Sequence, residues 1–325
     1  MTGEKKWILE NQGPEGEFYM NGSKAGDVNP YFACMAALGL LAETKNCLIT
    51  ETEKKAVNRY LDWHTGILLE TDGKMGIYRK KSGKLIYKEK ADSEDGYLGM
   101  YLFLMGKYLE KTESTDLSEY WKKGISLALK KIQSLMQDGI TQVSGENTTV
   151  YLMDNLEVWK GLYELEHAGL KDVQAIREMR NKLQAQIEKL FWDDANQRWR
   201  IIENSNLYHQ KEFYPDGVAQ IYPLIYEFPV KEKKKQKILY EQFTERFQWQ
   251  KLNKKRNGFL WAMAGMAAAQ MGDINNLLEM IRNYEAEYCE NRKYPLYTGE
   301  AGWICMECEK LYSLYERKIK TGFLV

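Results

Sequence analysis

Two short segments of this sequence each carry a pair of carboxylates three residues apart: Asp92 with Asp95 in ADSEDGY, and Asp154 with Glu157 in LMDNLEV. On a helix that spacing puts both acids of a pair on one face, where like charges repel. Such a pair is costly unless a ligand, a cation or a shared proton relieves it. Asp216, in FYPDGV, and Glu300, in YTGEAGW, also stand beside Tyr or Trp. Paired carboxylates are what cleavage of a glycosidic bond needs. One acid protonates the leaving oxygen, and a second carboxylate activates water or attacks the sugar. Tyr and Trp offer flat apolar faces for sugar rings and a polar edge for their hydroxyls. The composition favours carboxylate over imidazole chemistry: there are 22 Tyr and 9 Trp but only 3 His, namely His64, His167 and His209.

Taken singly, Asp92, Asp154 and Asp216 read most simply as helix N-caps, each worth about 1 kcal/mol. Acidic first turns also complement the helix dipole. Capping leaves the second acid of each pair unexplained. The candidate catalytic residues are therefore Asp95 and Asp92, then Asp216, Glu157 and Glu300. The candidate substrate-binding residues are Tyr31, Tyr97, Asp154, Trp159, Tyr214, Trp261, Tyr297 and Trp303.

These residues meet only if the fold gathers them. Six Pro in 325 residues, with apolar residues recurring every three to four positions, predict helix throughout. Two kinds of helix alternate. One is apolar or small nearly all round, over 29–43, 92–111, 152–168, 215–227, 258–271 and 299–315; helices without a wide polar face are buried. The other has a broad charged face, over 52–69, 116–137, 172–191, 231–247 and 273–289. Each follows a buried helix after a short connection, as in a helical hairpin. The alternation predicts an all-α fold, an (α/α)6 toroid or six-hairpin barrel, spanning residues 1–325 as one domain. Six parallel inner helices are wrapped by an antiparallel outer ring. The sixth outer position is left open or filled by the segment around Trp7. A small β-hairpin is expected in the 71–91 loop, around Lys81 to Lys84, and a short strand at 197–203. Parallel inner helices bring all their N-termini to one mouth, and with them the acids and aromatics above.

At this point the chain resembles the six-hairpin glycosidase-like (α/α)6 toroids, most closely the bacterial branch around endoglucanase-type family 8 enzymes and their uncharacterised relatives. The resemblance is carried by ADSEDGYLGMYLFLMGKYLEKT, LMDNLEVWKGL, FYPDGVAQIYPLI and YPLYTGEAGW, in that order. It implies a glycoside hydrolase acting on an oligo- or polysaccharide. In family 8 enzymes a general-acid Glu lies near the first inner helix; here only Glu15 and Glu17, in GPEGEFYMNG, are nearby, and neither matches. A non-catalytic carbohydrate-binding toroid and a sugar epimerase of related fold stay open. The epimerases lean on His pairs at the barrel mouth, which three scattered His fit poorly.

Other features exclude more than they suggest. Lys+Arg and Asp+Glu both total 46. That balance argues against a nucleic-acid partner, which needs a basic face. No window approaches a membrane span, and no glycine-rich phosphate loop is present. Cys305 and Cys308 form a CxxC within a helix and lack a second pair, so no metal or cofactor is expected. Five scattered cysteines do not make a disulfide framework, which suggests a cytoplasmic setting; an exported chain with its leader removed would begin in the same way. Of the histidines, only His209 stands just before an inner helix. Lys231 to Lys235 read as a solvated helix face. Gly96, Gly99 and Gly106 read as positions of close helix packing.

Overall fold

Side-chain caps fix where several helices begin. Thr50 and Glu53 form a capping box, Ser118 accepts from Trp121 N–H, and Asn29 and Ser93 accept from the N–H groups of Tyr31 and Gly96. The structure is a computed structural model and describes residues 1–22, 26–81, 84–114, 117–203, 212–252 and 258–320. Among these, twelve α-helices run in order: α1 Thr2–Glu10, α2 Pro30–Leu40, α3 Glu51–Glu70, α4 Glu94–Thr112, α5 Glu119–Leu135, α6 Leu152–His167, α7 Gln174–Phe191, α8 Val218–Ile225, α9 Lys233–Phe247, α10 Ala264–Met271, α11 Ile274–Tyr288 and α12 Thr298–Lys320.

The even-numbered helices form the inner ring. Each packs on the next, α2 on α4, α4 on α6, α6 on α8, α8 on α10 and α10 on α12, and α12 returns to α2 to close the circle. The odd-numbered helices pack outside them, and α1 takes the sixth outer position against α12 and α2. The chain therefore has the expected (α/α)6 toroid fold. None of its described helices is long and apolar enough to cross a membrane.

Glycines set the tightest crossings of the inner ring. A Cβ on Gly99 of α4 would lie 2.7 Å from the Glu157 and Val158 backbone of α6, and one on Gly106 would lie 2.5 Å from Glu164. Gly161 returns the contact, with a Cβ position 2.3 Å from the Gly99 carbonyl. Gly39 of α2 and Gly302 of α12 meet in the same manner. At all these crossings backbone meets backbone, and any side chain would force the helices apart.

The expected hairpin is present: β2 Gly76–Lys81 pairs antiparallel with β3 Lys84–Lys90, although its turn at 82–83 lies outside the described residues. A further strand, β1 Asp27–Val28, joins β2 and makes a three-stranded sheet. The strand expected at 197–203 shortens to Arg198–Trp199, with an isolated bridge from Ile202 to Tyr151.

The fifth inner helix departs most from expectation. Helix was expected from residue 258, but α10 begins at Ala264. Gly258 and Trp261 both take left-handed backbone conformations, at φ 76° and 58°, which interrupt a helix. The N–H groups of Trp261 and Ala262 then turn to a side chain of α12 instead.

Candidate active site

The first turns of the inner helices and the segments before them line one cavity of about 290 Å³. Asn29 and Tyr31 come from α2, Asp92 and Tyr97 from α4, and Asp154 and Glu157 from α6. Tyr214 and Tyr222 come from the α8 side, Phe259 and Trp261 from the segment before α10, and Glu300 and Trp303 from α12. The last turns of α2, α4 and α8, with positions further along α6 and α12, line a second cavity, so these inner helices run parallel.

Glu157 is buried in this cavity. Its Oε1 accepts from the hydroxyls of Tyr31 at 2.5 Å, Tyr222 at 2.7 Å and Tyr226 at 3.4 Å. Its Oε2 faces Gly96, where a Cβ would stand only 2.6 Å away. That glycine makes room for the carboxylate rather than for a helix backbone. Burial pushes the Glu157 pKa up to about 7; the Tyr31 and Tyr222 hydroxyls pull against that shift, and Asp95 and Asp92 add to it. Asp154 lies beside it, half-buried, and its carboxyl is held well above the usual range by burial and by Asp95 and Glu157. Asp92 is exposed at the rim.

Glu300 stands on α12, opposite α6 in the ring. Its two oxygens accept from Trp261 N–H at 3.1 Å and Ala262 N–H at 2.9 Å. Burial raises its pKa to about 7 against the pull of those backbone donors. The remaining walls are aromatic. Phe32 stacks on Phe259 with centroids 5.3 Å apart, and Tyr214 lies 4.9 Å from Trp261.

Nine of the thirteen candidate residues thus share the cavity: Tyr31, Asp92, Tyr97, Asp154, Glu157, Tyr214, Trp261, Glu300 and Trp303. Four do not line it. Asp95 is fully buried and accepts from Ser93 and Thr141 hydroxyls, both at 2.7 Å, and from Gly96 N–H. Asp216 faces a separate groove with Arg198 and Arg246. Trp159 points outward to Gln184 of α7 and packs on Phe228. Tyr297 lies behind the wall, against Phe259 and Phe32. None of Asp92, Asp154 and Asp216 is a cap: Ser93 and Tyr151 hold the N-cap positions of α4 and α6, and Asp216 sits within a π-helical turn, Phe213–Gly217. Tyr222 and Tyr226 were missed. Their spacing of four on an inner helix was the available signal, since it sets both hydroxyls on one face.

His64 is a buried core residue 3.7 Å from Cys34, its pKa pushed down to about 3 by burial. His167 is exposed near the end of α6, and His209 lies outside the described residues. All five cysteines are free. Among the described residues, no three of His, Cys, Asp and Glu are grouped so as to hold a metal ion.

An inner ring of parallel helices with an acidic, aromatic mouth defines the class: the protein is a glycosidase-like (α/α)6 toroid by fold. A solved glycosidase variant superposes on it with a TM-score of 0.69 at 12% identity, over 96% of this chain and 96% of its own. A D-mannose isomerase gives 0.62 at 12% identity, over 97% and 96%, and an α-amylase from Clostridium perfringens gives 0.58 at 13%, over 94% and 97%. At such identities the likeness is one of fold. No protein-family model matches the sequence, and no curated protein does.

Proposed function

We propose that this protein is a glycoside hydrolase acting on an oligo- or polysaccharide, with Glu157 as general acid and Glu300 as general base. One observation carries the reading: two buried carboxylates, each raised to about 7, face one aromatic cavity from opposite inner helices. The division of roles follows from their neighbours. Asp95 and Asp92 place like charge near Glu157, which favours the protonated acid. Glu300 accepts from the backbone N–H groups of Trp261 and Ala262, which favours the carboxylate. Glu157 then donates its proton to the leaving oxygen while Glu300 takes one from the attacking water. Tyr31 and Tyr222 orient the acid, and Phe32, Phe259, Trp261 and Tyr214 offer faces to the sugar rings.

The test is reducing-end release from a panel of oligosaccharides by the Glu157→Gln and Glu300→Gln variants, with folding checked by circular dichroism. Each should lose roughly a hundredfold or more in turnover, the usual contribution of a positioned acid or base. Unchanged rates in both would sink the assignment. A non-catalytic saccharide-binding toroid is favoured by one feature, the use of both Glu300 oxygens on backbone N–H groups. It predicts calorimetric binding with no release of reducing ends. A sugar epimerase has less support, since no His lines the cavity among the described residues; NMR of the products would identify it.

A further inference from the structure

The cavity of about 290 Å³ lies at the small end of the range for ligand sites, so a long saccharide held there must continue across the rim. Two large aromatic side chains on this side of the molecule are exposed. Tyr214, at 41% exposure, belongs to the cavity wall; Tyr294, at 67%, lies outside it in the loop between α11 and α12. Rings connect Tyr294 to the cavity without a break. It lies 6.2 Å from Tyr297 at an interplanar angle of 81°, and Tyr297 lies 5.5 Å from Phe259, which lines the cavity stacked on Phe32.

Tyr294 is also seated rather than trailing in solvent. Its hydroxyl rests over Gly258, where a Cβ would come within 2.6 Å of the oxygen. Gly258 takes a φ of 76°, a conformation that suits glycine, and leaves that space open to the hydroxyl. A large exposed ring held from one side presents area at little cost in side-chain entropy.

We propose that Tyr294 is the platform of an outer sugar-binding position, taking a residue of the saccharide chain beyond those inside the cavity. The proposal rests on the hydrolase reading for the identity of its ligand. The occupant is a neutral pyranose whose apolar ring face lies on the tyrosine.

The test uses the full chain carrying Glu157→Gln, to stop turnover, and calorimetry with cello- and malto-oligosaccharides from disaccharide to hexasaccharide. Longer chains should bind more tightly than the disaccharide. Adding Tyr294→Ala should cut the ratio of hexasaccharide to disaccharide affinity about tenfold, the size of one aromatic contact, and Tyr294→Phe should retain that ratio. A ratio unaffected by Tyr294→Ala, or an equal loss at both lengths, overturns the platform alone. Failure of every saccharide to bind overturns the carbohydrate reading and the platform with it.

Discussion

Glu157 and Glu300 reach one cavity from α6 and α12, which stand opposite each other in the inner ring, and the groups that donate to them differ in kind. Tyrosine hydroxyls hold Glu157, and backbone N–H groups hold Glu300. A hydroxyl can be deleted by substitution and a backbone N–H cannot. Glu157 can therefore be tuned from its surroundings, whereas Glu300 must be tested on itself.

The first prediction concerns pH. In the proposed roles Glu157 acts protonated, so the basic limb of kcat/KM should follow its pKa, raised to about 7. Asp92→Asn removes a negative charge that opposes ionisation, lowers that pKa and moves the limb to lower pH. Tyr222→Phe removes a donor that favours the ionised form and moves the limb to higher pH. Profiles shifted in the same direction in both variants would refute the assignment.

Glu300 has a structural task that separates two substitutions. Glu300→Gln leaves an oxygen to accept from Trp261 or Ala262, whereas Glu300→Ala takes this acceptor from the buried Ala262 N–H and the partly buried Trp261 N–H. Each orphaned group costs roughly 1–3 kcal/mol. Thermal denaturation should show a clear fall in Tm for the Ala variant and a much smaller one for Gln, with turnover lost in both. Equal Tm values would mean that the left-handed turn at Trp261 does not depend on this carboxylate.

The backbone crossings give a prediction independent of function. Gly99→Ala and Gly302→Ala place a methyl within 2.7 Å and 2.1 Å of facing backbone atoms. Overpacking of this kind costs typically about 1–3 kcal/mol. Gly145, with nothing within 4 Å of its Cβ position, is the matched control. Urea denaturation of the three Ala variants should separate the crossings from the control, and similar midpoints for all three would contradict the close approach.

The ring was legible in the sequence because burial leaves its mark on all sides of a helix: PYFACMAALGL has no polar face, while ETEKKAVNRYLDWHTGILLE has one. Parallel inner helices then gathered Tyr31, Asp92, Glu157 and Glu300 without further information. The errors came from rotation within an element and from loops. Trp159 follows Glu157 by two residues, about 200° round the helix, so an inward Glu157 sends Trp159 outward. Asp95 shares a helix face with Asp92 only if both are helical. Asp92 lies before the Ser93 cap, and Thr141, from the loop after α5, takes the Asp95 carboxylate. Nothing in a helical period encodes that loop contact. The late start of α10 likewise depends on Glu300, some forty residues further along the chain.

A last prediction concerns Glu307, two turns below Glu300 on α12. It is completely buried, and among the described residues neither of its oxygens meets the geometry of a hydrogen bond. The N–H groups of Gly265 and Met266 donate to the carbonyls of Ala262 and Met263, and their pull on the carboxyl is outweighed by burial. Burial, reinforced by Glu300, holds the carboxyl well above its usual range, so the folded protein keeps this proton to higher pH than the unfolded chain does. The unfolded chain ionises near the ordinary value, about 4.3. The unfolded state therefore gives up a proton first, and stability falls as pH rises from the unfolded value towards the folded one. Glu307→Gln does not titrate and escapes that loss. Its Tm relative to the unsubstituted protein should climb as pH is raised from about 5 towards neutral. A difference that stays flat across that window would mean that Glu307 is ionised in the fold and has a partner there.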